Sequence, residues 1–462
     1  MYGRITDKGH LGELENMEKT ELKKSISGLT ALTVLVGTVI GAGVFFKPTA
    51  VYSASGAPGV GLLAWFVAGI ITITGGLTVA EIGTIYSESG GLMLYMEKVY
   101  GKIWGFLAGW AQMIVYFPAN FAALAIIFAT QVINLFGLSD QLTIPIAIGT
   151  ALFIALMNFM GTKHGSRIQN IATFLKLIPL FIIIVAGLLY SGGGQQRLMP
   201  FVSEDHSFLT ALSSALVATL FAYDGWMNVG TLAGEMKNPG KTLPRVIVGG
   251  LSIVMAVYLA INVAYLFVVD SATLAGTATP AAAVASKLFP GIGGKLITVG
   301  ILISVFGAMN GYFISAMRIP YVLAKRGLLP FADWFGVLHP KTYVPMNGGI
   351  MIVSISVVMM LSGSFNQLTD LIVFVIWIFS TMTFLAVIIL RKRKPAIERS
   401  YKVPLYPFIP LVAIAGGLFI LMSTLLTQLF NALLGIVLTL IGVPVFLYTQ
   451  KNKKAPVLIE EE

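Results

Sequence analysis

Cysteine is missing from all 462 residues, so disulfides, thiolate nucleophiles and cysteine-ligated metals have no place in any account of this chain. Histidine is scarce. The four that occur, His10, His164, His206 and His339, are scattered without metal-ligand spacing. Charged side chains make up only 11% of the residues, too few to cover a soluble domain of this length. The formal net charge is +10, but the basic residues are dispersed and build no aromatic-laced basic face, which excludes nucleic acid as the expected partner. Glu81 and Glu97 have no neighbours from which an acid and base pair could be built, so neither enzyme activity nor a cofactor or metal is expected.

What the chain has in abundance is apolar sequence, 56% of its residues, with a mean hydropathy of +0.87. Apolar tracts recur at about 28–50, 58–86, 101–136, 142–160, 167–190, 208–232, 243–269, 293–324, 346–362, 366–390, 405–427 and 429–449. Each is near the roughly 20 residues that a helix needs to cross a hydrocarbon core. Strict alternation is absent, which excludes a membrane barrel with strands of about 9 to 11 residues. The expected fold is an all-α polytopic membrane protein with twelve transmembrane helices and lipid as its solvent. Residues 1–27 are polar and mixed in charge, unlike a cleaved signal peptide, so the first tract is expected to remain as a span.

An even number of spans puts both termini on one side, read as the cytoplasm. Of the 30 Lys and Arg, that arrangement leaves only Arg197, Lys287 and Lys295 outside, with Lys47 and Lys176 inside spans and the others in cytoplasmic segments. This is the bias of the positive-inside rule. The segment 278–288 is too short and polar to span and is expected as a small interfacial or external helix. The third tract is longer than an upright helix requires, so it should tilt or project. Pro118, Pro179, Pro320 and Pro410 mark candidate kinks.

Two tracts carry interruptions. In the first, Gly37-Thr38-Val39-Ile40-Gly41-Ala42-Gly43-Val44 combines three glycines with β-branched residues, which lowers helical propensity and lets a ligand or another backbone approach. The alternative is close helix packing through small residues. In the sixth, Phe221-Ala222-Tyr223-Asp224-Gly225-Trp226 places a charge and a glycine where a lipid-facing helix would avoid them; Asp224 could also sit near a wet mouth or bind helices together. Interruptions at matching positions of two inverted halves point to a midplane transport site. There, helix N-termini suit a carboxylate and C-terminal carbonyls suit an ammonium, so one small zwitterion can satisfy both. The carboxylate is expected at Gly41 to Val44 and the amine at carbonyls near Ile40 and Phe221 to Asp224. A small neutral amino acid follows from the little side-chain charge left over.

Lys176 lies well inside span five, where a charge is expensive, so it should face the protein interior or a water-filled path. Snorkelling to the interface is the alternative. Facing inward, its ammonium would lie against the broken first helix where a sodium ion could otherwise sit, or it could carry a coupled proton. Tyr258 in span seven and Asn310 in span eight are further polar candidates for gating, with helix packing the alternative for each.

With these residues in view, the chain resembles the L-amino acid transporter family of the amino acid-polyamine-organocation superfamily, and within it the bacterial alanine-serine-cysteine exchangers. The likeness runs from about residue 28 to residue 448 and rests on VGTVIGAGVFFKP at 36–48, PGVGLLAWFVAG at 58–69, YDGWMNVGTLAGEMKNPGKTLPR at 223–245 and FGAMNGYFISAMRIPYVLAKRGLLP at 306–330.

The resemblance implies a core at 28–390 of two five-helix inverted repeats, 28–190 and 208–390, with discontinuous helices 1 and 6. Helices 11 and 12 follow within 391–449, and 450–462 forms a cytoplasmic tail. It implies sodium-independent one-for-one exchange. A bacterial inner membrane is the expected setting, and a monomer the expected state, although the sequence leaves oligomeric state open. Carboxylate binding falls at Gly41, Ala42 and Gly43, the aromatic lid at Phe221, and the family's fifth-span lysine and seventh-span tyrosine at Lys176 and Tyr258. Ala42 replaces the serine of many relatives, which shifts the burden to backbone donors. Without cysteine, a disulfide-linked glycoprotein subunit is excluded. The competing readings are a proton-coupled amino acid or polyamine symporter, working through Lys176 or Asp224, and a membrane nutrient sensor that binds without transport.

Overall fold

A computed structural model describes residues 27–86, 91–161, 175–192, 195–204, 207–227, 236 and 238–451. The first span is two helices, α1 (Gly28–Val39) and α2 (Gly43–Ser55), bent by 47° at the residues between them. There follow α3 (Pro58–Ile85), α4 (Gly91–Tyr100), α5 (Lys102–Phe136), α6 (Thr143–Phe159), α7 (Leu177–Leu188), α8 (Phe208–Ala222) and α9 (Pro239–Val268). The remainder comprises α10 (Ser271–Ala275), α11 (Pro280–Leu288), α12 (Ile292–Ala316), α13 (Arg318–Lys325), α14 (Ala332–Phe335), α15 (Met346–Ser362), α16 (Phe365–Arg393), α17 (Phe408–Thr427) and α18 (Leu429–Lys451).

Among the described residues, eight helices are long and apolar enough to cross a membrane, nine crossings if the bent pair counts as one, and α7, α8 and α15 are shorter apolar helices. Every tract expected to span contains one of these elements. Residues 1–26 and 452–462, the start of the fifth tract and the end of the sixth lie outside the described residues.

Local chemistry sets several boundaries. Ser27 accepts from the Thr30 N–H at 3.1 Å to start α1, and Ser207 caps α8 through the Thr210 N–H at 3.3 Å. Ser364 and Gln367 form a reciprocal capping box at α16, with bonds of 3.3 and 2.9 Å. Proline occupies the first turn of α3, α9 and α11, where its missing N–H costs nothing.

The long third span is an unbroken rod only in outline. Residues Gln112–Tyr116 form a π-helical turn inside α5, separated from Pro118 by Phe117 alone. This span is the centre of the bundle: 83% of its most apolar stretch is buried, against 28% for α6 and α18 at the periphery. The segment expected as a small helix at 278–288 is α11, which buries Pro280, Ala281 and Val284 against its neighbours.

Two faces of the bundle follow from contacts between helix ends. On one, Gly28 of α1 lies beside Thr242 of α9, and Glu81 near the end of α3 meets Arg391 at the end of α16. On the other, the Val60 N–H at the start of α3 bonds the Phe201 carbonyl at 2.9 Å, and Thr49 of α2 donates to the Thr277 carbonyl at 2.5 Å.

Candidate functional site

The break in the first span begins where Ile40, at φ −71° and ψ 87°, leaves the helix after donating to the Val36 carbonyl at 2.9 Å. α2 restarts at Gly43 with no side-chain cap. Its leading amides, around Ala42, Gly43 and Val44, therefore lack intrahelical acceptors and carry the positive end of a helix dipole. α8 ends at Ala222, and the Asp224 N–H turns back onto the Phe221 carbonyl at 3.2 Å. Gly225 then adopts φ +95°, a conformation a side chain would strain.

The bend of the first span and the end of α8 meet backbone to backbone. A Cβ built on Gly43 would stand 2.6 Å from the Ala222 Cα and 2.9 Å from its Cβ. Only glycine fits there. The contact joins the amino end of α2 to the carboxyl end of α8.

A cavity of about 760 Å³ lies at this junction, lined by Gly37, Thr38 and Val39, by Gly41, Ala42 and Gly43, by Phe221, Ala222, Asp224 and Gly225, and by Lys176. It extends to Gly91, Leu92 and Met93 of α4, Gln112 of α5, and Arg318 and Val322 of α13. Its mouth therefore lies on the face where α1 begins and α3 ends. At the other end, the Phe221 ring packs edge-on against Phe365, centroids 5.9 Å apart.

Lys176 is buried and donates to the Gly37 carbonyl, one of those that the break deprives of an intrahelical partner. The ammonium thus sits on the negative end of the α1 dipole. Tyr258, fully buried, reaches the same region from α9: its hydroxyl lies 2.8 Å from the Val39 carbonyl and 2.7 Å from the Ala222 carbonyl. With one hydrogen to donate, it couples the ends of α1 and α8 through a shared bond.

Ile40, Val44, Tyr223, Tyr258 and Asn310 do not line the cavity. Tyr223 points away, donating to the Trp65 carbonyl at 2.9 Å and packing edge-on with Tyr258. Asn310 accepts from Asn158 at 2.8 Å, joining α12 to α6.

Two tyrosines absent from the sequence-based set complete the site. The Tyr116 hydroxyl donates to Asp224 Oδ2 at 2.6 Å and the Tyr312 hydroxyl to the same oxygen at 3.2 Å. Tyr116 closes the π-helical turn of α5, so the irregular turn aims it at the turn that follows α8. Lys47, noted in the sequence only as a basic residue inside a span, lies 5.2 Å from the Phe221 ring centroid. The arrangement offers free amides at one end and, a few residues away, carbonyls and a carboxylate. That suits a molecule carrying both a negative and a positive charge.

The sequence model of the amino acid permease family matches residues 26–451. The chain is 45% identical over 441 residues to the serine/threonine exchanger SteT of Bacillus subtilis, covering 95% of this chain and 99% of that protein. It is 30% identical over 449 residues to the human cystine/glutamate transporter, covering 96% and 88% of the two chains. The mouse b(0,+)-type amino acid transporter 1 is 29% identical over 419 residues, 89% and 85% of the respective chains.

Proposed function

The chain belongs to the amino acid permease family, and we propose that it performs sodium-independent one-for-one exchange of small neutral L-amino acids, alanine and serine among them, across a bacterial inner membrane. The observation that carries this reading is the backbone contact of the two breaks, Gly43 on Ala222, at the closed end of a cavity.

In this reading the substrate carboxylate binds the bare amides at Gly41, Ala42 and Gly43. The substrate ammonium faces the carbonyls near Ile40 and Phe221 to Asp224. The Val39 and Ala222 carbonyls already accept from Tyr258, which leaves the Asp224 carboxylate, steadied by Tyr116 and Tyr312, as the strongest remaining attraction for that charge. The name of the Bacillus subtilis relative, a serine/threonine exchanger, supports substrates with short side chains.

Sodium becomes unnecessary because the Lys176 ammonium already neutralises the carboxyl end of α1. The core is read as twelve spans, with repeats 28–190 and 208–390, and with the cavity mouth in the cytoplasm. Binding of a second amino acid from the opposite compartment supplies the free energy for reorientation, which the empty carrier lacks. Exchange is the consequence.

The test is uptake of labelled serine, alanine, leucine and arginine into sodium-free proteoliposomes with and without unlabelled serine inside. Exchange predicts uptake at least about tenfold faster with internal serine, which is about 1.4 kcal/mol of barrier. Uptake driven equally well by a pH gradient into empty vesicles would replace exchange with proton symport, and binding without flux would make the protein a sensor.

A further inference from the structure

Lys47 is a cation buried with zero exposure in a membrane helix, and substrate binding makes no use of it. It stands on α2, beyond the break and toward the face opposite the cavity mouth. Its ammonium donates to Thr369 Oγ1 at 2.6 Å and Asn366 Oδ1 at 3.4 Å, and lies 3.7 Å from Asp370 Oδ1. All three partners belong to the first turns of α16. The rings of Phe221 and Phe365 flank it, each centroid 5.2 Å from Nζ.

We propose that Lys47 and Asp370 form a latch that holds Phe221 over the cavity on the face away from its mouth, and that the pair parts whenever that face opens. This rests on the exchange reading, in which each substrate must cross that face.

An ion pair buried at Lys47 and nearly so at Asp370, whose side chain is 13% exposed, does what apolar contacts do not. Enclosed, its mutual attraction is largely offset by the loss of hydration, so the net stabilisation is small. Parted with water admitted, both charges are hydrated and the cost of separation is modest. The same pair parted without water would strand two bare charges in the protein. Such a contact therefore tolerates two states, closed and dry or open and wet, and opposes those between. An apolar seal would favour only the closed one. Phe221 connects the latch to the substrate, since its ring touches the Lys47 ammonium on one side and lines the cavity on the other.

The lack of native cysteine makes the test direct. Val373 lies one turn further along α16 than the latch and lines the cavity, so Val373→Cys supplies the only thiol. A membrane-impermeant maleimide is applied to intact cells in four backgrounds: unchanged, Lys47→Met, Asp370→Asn, and the double Lys47→Met/Asp370→Leu.

The latch predicts labelling about tenfold faster in either single variant, equivalent to about 1.4 kcal/mol less preference for the closed face. The double variant, with an apolar pair in place of the ions, should label more slowly than the unchanged background. It should exchange serine at least about tenfold more slowly while its Tm in detergent holds or rises. A static brace would not lose flux as it gained stability. Single variants that label at the parental rate would overturn the latch, as would a double variant that exchanges normally. If the single variants fail to yield a monodisperse protein, the double variant decides alone. Labelling reads the face and not the cargo, so an unchanged protein that proves indifferent to internal serine sinks exchange without touching this result.

Discussion

A single methyl group tests whether the bend of the first span and the end of α8 must touch. At Gly43 the nearest atoms to an added Cβ belong to the backbone and Cβ of Ala222, at 2.6 and 2.9 Å, and cannot swing aside. Overpacking of this kind costs about 1–3 kcal/mol. Gly43→Ala should therefore lower the Tm of the purified protein by several degrees and cut serine exchange at least about tenfold. Gly41 provides the control, because its added Cβ would meet nothing closer than the Val39 carbonyl at 3.8 Å. Gly41→Ala should keep the parental Tm and, on the proposed reading that the bare backbone there meets the ligand, show its effect as weaker substrate binding. Equal melting temperatures for both variants would refute the steric argument. At Lys176 the issue is charge. Removing a charged donor costs about 1.5–3 kcal/mol and frees the Gly37 carbonyl. Lys176→Ala should slow exchange about tenfold or more, and parental kinetics in that variant would strip the lysine of its role.

At the scale of elements, the bend of the first span and the end of α8 at Ala222 were legible because each offends a local rule: three glycines and β-branched residues in one tract, a carboxylate beside a glycine in the other. The π-helical turn Gln112–Tyr116 offends none, since QMIVY reads as ordinary apolar helix. Its one hint is Pro118, whose missing N–H leaves a carbonyl of the preceding turn without a partner and lets that turn widen. The partners of Asp224 were hidden for a different reason. Tyr116 and Tyr312 lie 108 and 88 residues from it, and no local pattern reports which faces of α5 and α12 will converge. Glu81 likewise has no meaning until α3 and α16 are packed. Its buried carboxylate then takes two bonds from Arg391, at 2.8 and 2.5 Å, and one from the Val403 N–H at 2.8 Å, with Arg399 at 3.3 Å. This ties the segment after α16 to the end of α3. Glu81→Gln removes the charge on which two guanidinium groups converge. With Arg391 partly open to solvent, the loss should be about 2 kcal/mol or more, read as a fall in Tm in detergent. An unchanged Tm would show that the cluster is held by its neutral hydrogen bonds alone.

For the whole molecule, composition declared the solvent before any contact between helices was known, and charge distribution predicts an orientation. The structure adds where the cavity opens. Lys98, Lys241, Arg318, Lys325, Arg326 and Arg391 belong to α4, to the start of α9, to α13 and its end, and to the end of α16, all on the mouth's face; Arg197, Lys287 and Lys295 belong to the opposite face. If basic residues stay in the cytoplasm, this is a carrier resting open to the inside, with the Phe221 and Lys47 layer sealing the outside. Ser315 can decide the matter. It is exposed, lines the cavity near the mouth, and donates only to the Gly311 carbonyl at 3.1 Å, so Ser315→Cys leaves the packing intact. In a chain with no other thiol, an impermeant maleimide should label it in inside-out vesicles at least about tenfold faster than in intact cells, a bias of about 1.4 kcal/mol. Added external serine should narrow that ratio, because an exchanging carrier spends part of each cycle turned outward. The reverse ratio would place the mouth outside and the Lys47 latch on the cytoplasmic side, and the charge argument for orientation would fail with it.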